Sequence, residues 1–233
     1  MTRSIPVVRP YTLPELPLNP HDWTGLYFNG ASKAYVNCGN DASLSIVNNI
    51  TIIVSILPQF PIDAECMIIS RESLPPPSFA NNWRFMAKIF LGGGGINWGF
   101  YANAAFVGES DSLVPLAINK LYRLAVTYDQ VNVKMYTEGL LTNTDPKTDV
   151  LPTNDNVTIG QGTGGGQAFY TGIIYYGIII AQVLTQNQIN DIITGRILPT
   201  QFDCRLWHDY RLGHANDLSG NNNHGRIVNA VFV

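Results

Sequence analysis

Charge is what this chain has least of. Lys, Arg, Asp and Glu make up 13% of its 233 residues, about half the share of an ordinary soluble domain. The basic residues are scattered and the formal net charge is −3, so nucleic-acid binding, which needs clustered cations to release counterions, is excluded. Cysteine is also scarce. Cys38, Cys66 and Cys204 have no CxxC spacing and read as small buried apolar residues; a single disulfide stays open, with its pair unassigned. Long apolar runs are missing too. The longest, GIIYYGIIIA from Gly172 to Ala181, is far short of the roughly 18 residues of a spanning helix, so membrane insertion is not expected. The opening MTRSIPVVRPYTLPELPLNP lacks the apolar core of a secretory signal. The expected location is extracellular or a virion surface, reached by trimming of a leader or by lysis or budding.

What is present is apolar and neutral-polar: 45% hydrophobic residues, 21 Gly and many Asn. Such a composition opposes disorder. A chain of this length can bury roughly 70–75% of its unfolded surface, enough for a core without metal or disulfide support.

Residues 1–22 stand apart. Pro6, Pro10, Pro14, Pro17 and Pro20 forbid a helix and disfavour a central strand, leaving an extended arm. Its apolar residues, among them Val7, Val8, Tyr11, Leu13 and Leu16, need burial. Two readings stay open: the arm packs on its own domain, or it embraces a neighbouring subunit. The second makes a homo-oligomer through residues 1–22 the expected partner.

From about residue 23 the pattern is one of short strands between turn residues. The clearest is VNVKMYTEG, where Val131, Val133, Met135 and Thr137 alternate with Asn132, Lys134 and Tyr136. LYRLAVTYDQ precedes it, and the Asp129–Gln130 junction predicts a hairpin. Further strands are expected at 26–29, 33–37, 50–57, 67–70, 83–91, 97–102 and 156–159, and over 169–183 with a break near Gly177. Strands at this density without alternating helices predict an antiparallel sandwich. One helix stands out. Thr185 and Gln188 form a T-x-x-Q capping box, Ile189, Ile192 and Ile193 an apolar stripe, and Gly195 a stop.

Three segments carry a resemblance. LYRLAVTYDQVNVKMYTEGLL, then NVTIG and FYTGIIYYGIIIAQVLTQNQINDII, and the earlier ASLSIVNNITIIVSILP resemble, in family order, the hairpin, ending and opening strand of laminin-G-like, concanavalin A-like jelly rolls. The resemblance covers about residues 25–195 and implies an all-β, antiparallel jelly-roll sandwich with one short helix. DLSGNNNHGRIVNA resembles a segment that usually precedes the first strand of these modules, yet here it comes last. Circular permutation, or a terminal strand filling its own or a neighbour's edge, would account for that. The domain is thus expected to run from 23 to 233, with 203–233 as the displaced strand segment. Glu138-Gly139 replaces the usual Asn-Gly turn.

Glucanases of this fold place catalytic carboxylates on an E-x-D-x(x)-E strand. None of Glu15, Glu65, Glu72, Glu109 and Glu138 begins that pattern, and Asp63-Ala64-Glu65 is only a fragment of it. The chain is therefore expected not to be an enzyme. The glycine clusters Gly92–Gly95 and Gly162–Gly166 lack the Lys-Ser/Thr of a phosphate loop. His208, His214 and His224 match no zinc spacing. Calcium, often bound by this fold, is the cation to consider, with Asp217, Asn221 and Asn223 as oxygen donors; the competing reading is an Asx-turn network. For a glycan, Trp83, Trp98, Asn97 and Asn81 offer rings beside amides. The expected role is non-catalytic recognition or virion and surface assembly, with a glycan or a neighbouring subunit as partner; a soluble lectin module is the alternative.

Overall fold

A computed structural model describes residues 24–59, 66–72, 83–92, 95–101, 110–148, 156–161 and 169–233. The arm at 1–22 lies outside the described residues. Fifteen strands follow one another: β1 (Leu26–Phe28), β2 (Tyr35–Asn37), β3 (Ile50–Pro58), β4 (Cys66–Glu72), β5 (Trp83–Gly92), β6 (Gly95–Tyr101), β7 (Ser110–Asp111), β8 (Tyr122–Tyr128), β9 (Asn132–Thr137), β10 (Leu140–Pro146), β11 (Val157–Ile159), β12 (Gly172–Ile180), β13 (Cys204–Asp209), β14 (Arg226–Val228) and β15 (Val231–Phe232), with helix α1 (Gln186–Ile193) between β12 and β13. The larger sheet runs β10-β9-β8-β3-β12-β1-β15, with β13 also paired to β12; the smaller runs β14-β2-β11-β4-β5-β6-β7. All the strand pairings are antiparallel. The expected sandwich is the fold.

Strand alternation builds the core. Ile50, Ile52, Val54 and Ile56 of β3 and Leu124, Val126 and Tyr128 of β8 point inward against Val36, Ile69, Ile159 and Phe100 of the smaller sheet. The hairpin at Asp129–Gln130 is present. Asp129 Oδ1 accepts the Val131 and Asn132 amides at 2.9 and 2.6 Å, and Gln130 takes a left-handed φ of 65°. Val131 lies before β9 and is exposed. The break expected at Gly177 is absent. β12 is continuous, and a Cβ at Gly177 would come within 3.1 Å of Ile69 and 3.3 Å of Ile159, so this glycine lets the two sheets approach closely.

Helix α1 has the capping box read from the sequence. Thr185 Oγ1 accepts the Gln188 amide at 3.3 Å, and Gln188 Oε1 accepts the Thr185 amide at 2.8 Å. Such a cap is worth about 1 kcal/mol. Ile189 and Ile192 join a second apolar cluster on the outer face of the larger sheet. No described helix is long and apolar enough to cross a membrane.

The last thirty residues are woven into both sheets. β13 pairs with β12, β14 with β2, and β15 with β1. Gly25 and Val233 exchange both backbone hydrogen bonds at 3.0 Å. No disulfide joins Cys38, Cys66 and Cys204.

His208 ties this segment down. Its Nε2–H donates to the Asn223 carbonyl at 2.9 Å, which leaves Nδ1 as acceptor for the Tyr210 hydroxyl at 3.3 Å. Burial holds the imidazole below its ordinary value of 6.5, against the Asn223 hydrogen bond and Asp217, which favour the cation. The unfolded chain therefore binds the extra proton first as pH falls below about 6.5, and the folded state loses stability over that interval. The urea midpoint is expected to drop between about pH 7.5 and pH 5. His208→Gln should be less stable overall but give a flatter profile; an equally steep one would remove His208 as the cause.

Candidate functional site

The two outer faces of the sandwich differ in chemistry. On the larger sheet the outward residues are apolar, including Ile53, Leu57, Tyr175, Tyr176 and Trp207 around α1. On the smaller sheet they include polar residues of several strands. Val36, Ile159 and Ile69 point into the core, so their neighbours Asn37, Thr158 and Ser70 point out. Register sets these in one row, Arg226–Asn37–Thr158–Ser70, across four strands. The Ser70 and Thr158 hydroxyls donate to the Gln161 carbonyl at 2.7 and 2.8 Å. The two hydroxyls also lie 3.0 Å apart, and both are buried. Asn37 Oδ1 accepts the Gly39 amide at 2.8 Å.

Further along the same face Phe90 of β5 stands opposite Asn97 of β6. Their neighbours Ile89 and Trp98 are core residues, so the ring and the carboxamide face outward, and both are half-buried. Gly99, next outward on β6, lies opposite Lys88 and contributes no side chain. A ring beside a carboxamide can cover the C–H face of a sugar while donating to and accepting from its hydroxyls.

Of the residues expected to bind a glycan, Asn97 lies on this face. Trp98 does not, which corrects the sequence reading. It is 1% exposed, and its indole Nε1–H donates to Thr137 Oγ1 at 3.1 Å across the two sheets. Its place on the inward phase of β6 makes it a core residue. Trp83 opens β5 opposite Glu72, its side chain outside the described set; Asn81 lies outside the described residues. Phe90 escaped the sequence reading. Alternation with Ile89 was the available signal, but only the β5–β6 register brings it to Asn97.

A family model described as the concanavalin A-like lectin/glucanases superfamily, of laminin G type, matches residues 26–190. The chain belongs to that superfamily. Among curated proteins none matches. Solved structures agree on the fold. A proposed carbohydrate binding protein from Bacteroides ovatus superposes with a TM-score of 0.70 at 16% identity, covering 91% of this chain and 59% of that one. The native heptameric SAP-like pentraxin of Limulus polyphemus gives 0.58 at 17%, covering 73% and 81%. The CBM40 of the Ruminococcus gnavus IT-sialidase, bound to α2,3-sialyllactose, gives 0.53 at 17%, covering 67% and 92%.

In this superfamily member Asp217, Asn221 and Asn223 do come together, but as an Asx network. Asp217 Oδ1 accepts the Trp207 and Ser219 amides at 3.0 and 2.9 Å; Oδ2 accepts the Ser219 hydroxyl at 2.7 Å and the Asn223 amide at 2.9 Å. Asn221 and Asn223 turn amide nitrogens toward the carbonyls of Cys204 and Arg205. With the carboxylate committed to four donors and the carboxamides acting as donors, these residues do not fit a calcium ion, and the calcium expectation is corrected to a structural loop. Among the described residues no group of three His, Cys, Asp or Glu could hold a metal. Asp217→Ala should therefore cost about 2–4 kcal/mol, by stranding buried donors. The thermal midpoint of the unaltered protein should be the same in millimolar calcium and in EDTA; a calcium-dependent rise would restore the cation site.

Proposed function

We propose that this chain is a non-catalytic glycan-recognition module, and that the outer face of the smaller sheet is where the sugar rests. The single observation that carries the reading is the outward Phe90–Asn97 pair, half-buried on that face. Asn37, half-buried on the same face, adds a further amide. Membership of a lectin and glucanase superfamily agrees with it. So does the likeness in fold to a module holding sialyllactose. Of the glutamates weighed for catalysis, Glu72 and Glu138 are the two among the described residues. Glu138 is engaged by Arg123, at 3.1 Å, in the β9–β10 turn, and Glu15, Glu65 and Glu109 lie outside the described residues.

The test is a glycan array followed by calorimetry on the best hit. Phe90→Ala and Asn97→Ala should each weaken binding at least about tenfold, the loss of a ring face or of a hydrogen-bonding amide, with unfolding unchanged. Equal affinity in both variants would move the site elsewhere, and turnover of a glucan would replace the reading with an enzyme.

Assembly on a virion or other extracellular surface is a second reading, favoured by one observation. Leu113, Val114, Leu140 and Leu141 are exposed beside the Ser112–Thr142 contact of 3.4 Å at one edge of the sandwich. Monomeric proteins seldom leave large apolar patches open. Light scattering on the full chain should give an oligomer that Leu113→Asp with Leu141→Asp dissociates; a monomer at all concentrations would discard this reading.

A further inference from the structure

Asn29–Gly30 is the one Asn-Gly pair in the chain, and it follows directly on β1. Asparagine is among the thermally labile residues. A glycine after it has no Cβ to shield its own backbone nitrogen, so that nitrogen can close on the asparagine's carboxamide carbon. Asn29 is exposed and Gly30 half-buried, so water can reach the pair.

The fold needs both residues. Asn29 caps the 3-10 turn Gly30–Ser32, its Oδ1 accepting the Ala31 amide at 3.0 Å, a task asparagine performs well. Its backbone carbonyl accepts the Ser32 and Ala34 amides at 3.1 and 3.3 Å and the Ser32 hydroxyl at 2.9 Å. Position 30 needs glycine for another reason. A Cβ there would lie 2.7 Å from Thr171 Oγ1 and 3.1 Å from the Phe169 carbonyl oxygen, so the segment before β12 passes too close for a side chain. Capping at one residue and close approach at the next build a labile pair into the structure.

The same close approach restrains it. The Gly30 amide donates to Thr171 Oγ1 at 3.0 Å, a contact spanning 141 residues of sequence. Ring closure requires the Gly30 nitrogen to turn toward Asn29 Cγ and to lose its proton, and both moves break that hydrogen bond. A neutral hydroxyl is a poor base, so it holds the proton without taking it. The carboxamide is held as well, by the bond from Ala31 to Oδ1.

We propose that Asn29 is a site of spontaneous deamidation whose rate is set by the Thr171 hydroxyl. The Gly30 nitrogen attacks Asn29 Cγ, the bond from Cγ to the side-chain nitrogen breaks, and a cyclic imide forms. The proton shed by Gly30 departs with that nitrogen as ammonia. Water then adds to either imide carbonyl and opens the ring to aspartate or isoaspartate, with no change of oxidation state. The isoaspartyl product runs its main chain through the former side chain, which moves the carbonyl that Ser32 and Ala34 bond to. The Ser32 carbonyl in turn accepts Asn229 Nδ2 at 2.8 Å, so the change reaches the turn between β14 and β15.

Peptide mapping of the full chain, aged in warm and mildly alkaline buffer, follows the exchange of NH2 for OH at residue 29. Thr171→Val should speed it about fivefold, the worth of one neutral hydrogen bond in a local opening. Thr171→Ser keeps the hydroxyl and should convert at close to the unaltered rate. An unchanged rate in Thr171→Val would overturn the proposal, as would a Thr171→Ser rate equal to that of Thr171→Val. So would a parallel rise at Asn190, inside α1, which would trace the effect to unfolding of the whole chain.

Discussion

The two edges of β12 hold this molecule together. One edge takes eight register positions from β3. The other is divided, with β1 on Gly172–Ile174 and β13 on Tyr176–Ile180. The division falls where the pairing with β3 also slips, between Ile174 and Tyr176. A bulge there increases local twist and lets two strands from opposite ends of the sequence share one edge. Gly177, just past the slip, keeps the smaller sheet close enough for Ile69 and Ile159 to touch the strand. A larger residue would open the sandwich at its centre.

From that strand outward, alternation divides the labour. Inward residues make one apolar core between the sheets. Outward residues of the larger sheet are again largely apolar and recruit α1, whereas those of the smaller sheet include Asn37, Ser70, Asn97 and Thr158. A sheet covered on one side and polar on the other is what recognition of an uncharged, hydroxylated ligand asks for.

How much was legible in the sequence depended on the range of the signal. The 121–137 hairpin could be read because its alternation and its Asp129 turn lie within a few residues of each other. The α1 cap was equally local. β10 escaped because LLTNTDP is an exposed edge strand with no alternation to betray it. The Gly177 break was expected from glycine's weak strand preference, but close packing of the sheets outweighed that preference. Trp98 looked like a sugar platform beside Asn97, and one residue of strand phase reversed the two: the amide faces out, the indole in. Asp217, Asn221 and Asn223 were correctly seen as a cluster of oxygen-bearing residues. Which atoms faced which partners depended on β13, whose Cys204 and Arg205 carbonyls lie 17 and 18 residues before Asn221 and Asn223.

The way the sheets are completed also bears on how the chain comes to be folded. Residues 203–233 supply β13 and β15, so half of one edge of β12 and the free edge of β1 stay open until the ribosome has made them. Until then GIIYYGIII, a strongly apolar strand, shows unpaired amides and carbonyls along that part of its edge. Synthesis at some 5–20 residues per second leaves that edge bare for seconds. The nascent chain, more than the finished one, is where this protein is exposed to mispairing.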